Sequence, residues 1–189
     1  MPRRSFHVRW SRSSGDPNNK RVALLIALLA LVLAFSETLG KSAQTAALTH
    51  NIEASNLWSF FQAKTIRMTT VRTAAETMET LPDLNDKAKG QVAKWKAAAA
   101  RYDSEPETRE GRKELMARAK EQEAKRDRAM AAYHHYELAS ALVQIAIVLA
   151  SAMIITGIAM LGWISVGLGG LGIVFSGIGF FAPTAVHLF

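Results

Sequence analysis

From Leu138 to Phe189 the chain carries no Asp, Glu, Lys or Arg, a charge-free run of 52 residues. Cysteine is absent from all 189 residues, which excludes disulfides, thiol catalysis and thiolate metal sites and leaves the redox compartment open. Ser42–Leu81 holds neither proline nor glycine. Acid is scarce at the start: residues 1–21 carry six Lys/Arg against Asp16 alone, whereas residues 41–137 carry 17 Lys/Arg against 14 Asp/Glu. Most of the net charge of +7 therefore sits beside an apolar segment, where it sets topology and touches anionic lipid, rather than forming a nucleic-acid surface.

What is present is apolar length. A bilayer core needs about 20 apolar residues per helix. Leu138–Leu161 and Trp163–Val186 each supply 24 uncharged residues, and Leu161-Gly162-Trp163 is the expected turn between them: Gly tolerates the tight backbone and Trp prefers the interface. Val22–Phe35 adds 14 unbroken apolar residues, extended to a span over 21–40 by the limits Arg21 and Lys41. It reads as an uncleaved anchor, since no convincing small-x-small cleavage site follows. Glu37 falls near its far end as an intramembrane acid, a functional candidate by default that the plainer reading bonds to a neighbouring helix or leaves among headgroups. Residues 1–20 form a basic, flexible cytoplasmic tail, in which Arg3-Arg4 only faintly resembles a twin-arginine signal.

Within the last segment, Gly162, Ser165, Gly169, Gly172, Ser176 and Gly179 step by 3 and 4. Such a stripe lets helix backbones approach closely and favours a left-handed crossing. It packs either against copies of itself or against the other two spans of its own chain. A pore is a weaker alternative, because Ser165, Ser176 and Thr184 alone offer polar lining.

The region between, 41–137, is helical throughout. Ala54, Leu57, Phe61, Lys64, Met68, Val71, Ala75 and Met78 mark one face of a helix over about 42–81. Leu81-Pro82-Asp83-Leu84-Asn85 ends it, and Asp83 or Asn85 caps a second helix to about 102. Ser104 and Glu107 have capping-box spacing, so a third helix is expected from about 105 to 137, with mixed charges on a solvated face. The expected fold is an all-α membrane protein: three transmembrane helices, with a long extramembrane antiparallel helical hairpin between the first and second. A cytoplasmic N-terminus places the hairpin on the opposite side.

Little here carries chemistry. His134 and His135 are adjacent and point about 100° apart on a helix, so they do not share a metal. His50 and Glu53 form half of a carboxylate-bridged pattern whose other half is missing. No cofactor, nucleic acid or small-molecule substrate is implied, and an enzyme is the weakest reading. The unusual stretch is Ala54–Arg67, where Leu57, Trp58, Phe60, Phe61 and Ile66 place apolar groups all round the helix. Asn56, Trp58, Phe60, Gln62, Lys64 and Arg67 are the candidate assembly or partner surface, since a helix apolar on several faces wants several neighbours.

Ala54-Ser55-Asn56-x-Trp58-x-Phe60-x-Gln62-Ala63-Lys64-x-Ile66-Arg67, together with Tyr136-Glu137-x-Ala139 and Gln144–Ser151, resembles the bacterial domain-of-unknown-function 4337 family over about residues 20–182. The resemblance implies a small inner-membrane protein with three spans and a helical insert, and brings no activity or catalytic residue. The expected role is a self-assembling scaffold or an accessory subunit of a membrane complex, with a pore or a sensor-like input module as alternatives.

Overall fold

The computed structural model describes residues 17–186. The tail expected over 1–20 thus falls largely outside them, with Arg3 and Arg4. The described residues form four helices in order: α1 (Pro17–Glu79), α2 (Asp86–Asp103), α3 (Arg112–Thr156) and α4 (Ala159–Phe181), with no strand among them. α1, α3 and α4 are each long and apolar enough to cross a membrane. The segments expected separately at 21–40 and 42–81 are one helix: Pro17 is tolerated in a first turn, and Gly40, the lone glycine inside, costs only about 1 kcal/mol relative to Ala.

The chain divides into two compact units. The first comprises residues 17–38 and 136–177. Its core is Leu29, Val143 and Ala146, with Leu25, Val32, Leu33, Ile147 and Leu168 packed around them. The break between its last two apolar segments lies at Gly157, not at Leu161–Trp163. Gly157 has φ +72°, a left-handed conformation that suits glycine after a helix end, and its N–H donates to Met153 O at 2.9 Å. Gly162 is instead inside α4, where the missing side chain makes room for Met153.

The second unit comprises residues 39–135 and 178–186. α2 and then α3 run antiparallel to α1: partners pass from Glu79–Lys96, through Lys64–Glu105 and Trp58–Glu123, to Asn51–Arg126. Its core is a single seam of Leu57, Leu115 and Ala119, with Trp58 and Phe61 alongside. Asn85, of the two expected candidates, caps α2: its Oδ1 accepts from Ala88 N at 2.8 Å, while Asp83 takes a turn conformation with φ 60°. The third helix begins at Arg112 rather than near 105. Ser104 closes α2, its N–H donating to Ala100 O, and its hydroxyl turns to Glu114 (2.6 Å) instead of forming a box with Glu107. Glu114 also accepts from Glu105 N at 3.2 Å. Gly111 lies so close to Glu105 N, Ser104 Cα and the Glu114 carboxylate that no side chain fits.

Candidate functional site

The small-residue stripe of α4 is its buried face. Gly162, Ser165, Gly169, Gly172 and Gly179 are buried and Ser176 half-buried, whereas Gly167 and Gly170 are exposed with open space around them. Ser165 Oγ donates to Ala146 O at 2.7 Å. A Cβ on Gly172 would stand 3.1 Å from Ala139 O and 2.5 Å from Val143 Cγ2, and one on Gly169 would stand 2.5 Å from Leu29 Cδ2. Ser176 Oγ and Ser36 Oγ are 2.7 Å apart. Of the two partners open to the stripe, its own α1 and α3 occupy it here.

Glu37 has a partner that spacing alone does not reveal: Gln144 Nε2 donates to Glu37 Oε1 at 3.2 Å. Both residues are exposed. Gln144 is the one amide in the apolar half of α3, and that isolation is the signal that could have paired it with the one acid of the first apolar segment.

The Asn56–Arg67 surface divides in two. Trp58 and Lys64 turn into the hairpin; Asn56, Phe60, Gln62 and Arg67 stay exposed. Trp58 Nε1 donates to Glu123 Oε1 at 2.9 Å, and its ring meets Phe61 edge-on at 5.3 Å. Lys64 is 6% exposed. Its ammonium lies 3.8 Å from both Glu105 and Glu110 and 5.5 Å from the Phe60 and Tyr102 rings. Arg112, expected among the mixed charges of a solvated face, repeats the arrangement one layer on: its guanidinium lies over Phe61 at 5.2 Å and donates to Asp103 at 3.2 Å. Aromatic faces attract cations, which keeps both long side chains inside a thin hairpin.

Two carboxylates at this joint, Asp103 and Glu114, are tuned downward. The hydrogen bond from Lys113 holds Asp103 below its ordinary value, helped by the nearby charges of Lys113 and Arg112. The Ser104 hydroxyl holds Glu114 down, with the Glu105 N–H adding to it. His50 is not paired with Glu53: its Nδ1 lies 2.8 Å from Gln122 Oε1. His135 is fully buried, its Nε2 donating to Pro183 O at 3.1 Å.

A family profile described as Domain of unknown function (DUF4337) matches residues 18–182. The chain belongs to that family. The DUF4337 match takes in all of α1 but its first residue, and α2, α3 and α4 in full. No curated protein matches the chain, and no solved structure does. Family membership therefore names no chemistry for the stripe or the hairpin, and their roles rest on geometry.

Proposed function

We propose that this chain is a non-enzymatic, multi-pass protein of the bacterial inner membrane, working by protein–protein contact as a self-assembling scaffold or an accessory subunit. The three apolar segments cross the bilayer, and the hairpin of α1, α2 and α3 projects from it. Exposed Leu24, Leu28, Leu31 and Phe35 on α1, with Val148 and Ile155 on α3, suit lipid. The basic N-terminal segment supports an orientation with the N-terminus in the cytoplasm and the hairpin on the other side.

The observation that carries the reading is the thinness of the hairpin. Its core is one seam, while Leu48, Ile52 and Ile66 on the same helix remain exposed. A two-helix layer buries little surface and gains most from a further layer. A pore built on the α4 stripe has less support, since the stripe's serines and glycines are engaged with α1 and α3.

The test is native mass spectrometry of the particle taken gently from its own membranes. A particle containing several 20.7 kDa chains supports the scaffold, and one containing other polypeptides supports the accessory subunit. A lone chain in lipid would end the proposal.

A further inference from the structure

The outward face of α1 differs from that of the facing arm α3, and is longer than the uncharged exposed stripe of Gly90, Ala93, Ala97 and Ala100 on α2. α1 turns Ala47, Ala54, Leu57, Lys64, Met68 and Ala75 inward. Opposite them, in heptad register, are Thr45, Ile52, Ser59, Ile66 and Thr73, with Leu48, Ser55, Gln62 and Thr69 beside them at the second core position of each heptad. All nine are exposed, Ile66 at 67%, Leu48 at 59% and Ile52 at 54%. None is charged. The next position round, occupied by Thr49, Asn56, Ala63 and Thr70, is uncharged too. The charges of this stretch, Glu53, Lys64, Arg67 and Arg72, fall elsewhere on the helix, and the uncharged band ends at Lys41 and Glu76. Over 29 residues it runs about 43 Å at 1.5 Å per residue. By contrast the opposite arm carries Lys113, Glu121, Lys125, Asp127 and Arg128 within little more than four turns.

A solvated helix face normally carries charge, so this band is built to be covered. We infer that its occupant is a second copy of this chain, packed α1 against α1 as a parallel two-stranded coiled coil. In a two-fold contact each residue meets its own copy, so a charged band would repel itself and an uncharged one does not. Arg126 of α3 borders the first heptad, where it lines a groove with Thr45 and Leu48; beyond it a basic or acidic partner would find no complement on the band. Copies anchored in one membrane with one topology meet in parallel. The first core position is β-branched at four of five heptads, Thr45, Ile52, Ile66 and Thr73; six of the nine core positions are Ser, Thr or Gln, so the seam packs small and polar groups around Leu48, Ile52 and Ile66, and its parallel sense comes from the shared membrane anchorage. Gln62, a lone amide at a second core position, supplies the register, since it is satisfied best by its own copy.

This rests on the self-assembly reading, and its test separates the two. The chain has no cysteine, so single cysteines report without background. In full-length protein in native membranes, Ser59→Cys and Ile66→Cys are oxidised with copper phenanthroline, beside Glu53→Cys and Arg67→Cys on the flank. The expected result is a covalent dimer at twice the 20.7 kDa chain mass from the first pair only. No dimer from the first pair, or equal dimer from the flank, overturns the seam. Ile52→Glu with Ile66→Glu should reduce the native particle to single chains with helicity intact, since both sites are exposed; a multimer that persists also overturns it. A wild-type particle of several chains without seam cross-links sinks this interface and leaves assembly standing, whereas a wild-type particle of one chain sinks both.

Discussion

Ser36 and Ser176 stand 140 residues apart in sequence, yet their hydroxyls are 2.7 Å apart, one on α1 and one on α4. Ser36 is 1% exposed and Ser176 half-buried, so the Ser36 end of the pair lies inside the packed site. Interhelical hydrogen bonds of this kind contribute about 0.6 kcal/mol on average in lipid, whereas forcing extra carbons into a packed site costs about 1–3 kcal/mol. Ser36→Ala should therefore lose about 0.5–1 kcal/mol and Ser36→Leu more, measured by equilibrium unfolding in mixed micelles. Equal losses would show that the site is roomy and the hydrogen bond unimportant.

The glycines of α4 should differ in tolerance by face. Gly172→Ala presses a methyl toward the Ala139 carbonyl, which belongs to backbone and yields little, and should destabilise by about 1–3 kcal/mol. Gly169→Ala meets only the tip of Leu29 and should cost less. Gly170→Ala enters open space and should be neutral, or stabilising by up to about 1 kcal/mol. Thermal melts of the three variants give the order, and a Gly170→Ala loss equal to that of Gly172→Ala would contradict the assignment of the buried face.

Lys64 and its acids should respond asymmetrically. Lys64→Met keeps the volume and removes a buried charge, so stability should stay within about 1 kcal/mol of wild type. Replacing Glu105 and Glu110 together by Ala leaves the ammonium buried against two rings without an anion, and should cost about 1–3 kcal/mol. Chemical denaturation at neutral pH distinguishes the two outcomes.

Acid should loosen the joint between α2 and α3. Asp103 and Glu114 are held below their ordinary values, so each contributes stability that is complete above the unfolded-state value, about 4, and is lost as pH falls through the lower folded-state value. Circular dichroism melts from pH 7 to pH 2 should show the melting temperature falling on the acid side of about pH 4. Glu114→Gln should flatten that fall. An unchanged acid limb in Glu114→Gln would exclude the Ser104–Glu114 contact as its source.

Much of the architecture was legible because it follows from periodicity. The 3.5-residue spacing from Gly162 to Gly179 is the buried face of α4, and Ala54, Leu57, Met68 and Ala75 are the inward face of α1. What resisted reading was where helices stop. Thr156-Gly157-Ile158 has no signal beyond one glycine among many, and only the left-handed backbone there distinguishes it from Gly162. The start of α3 hid for another reason: Ser104 is chemically suited to cap a helix but bonds Glu114, ten residues on, a choice made by the Gly111 turn. Trp58 left two readings open, because an aromatic side chain on a thin hairpin serves its interior as readily as a partner, whereas Lys64 keeps the face it shares with Leu57 and Met68.

The contacts of α4 also imply an order of events during synthesis. Gly162 meets Met153 and Ser165 reaches Ala146 across a short stretch of chain, so α3 and α4 close on one another almost as soon as both exist. Ser36 must wait for Ser176. At 5–20 residues per second that wait is roughly 7–28 s, during which α1, on the membrane-spanning reading proposed above, lacks its α4 partner. A nascent chain is thus most exposed to membrane proteases before α4 emerges, and a product truncated ahead of Ser176 should be cleared rather than accumulate.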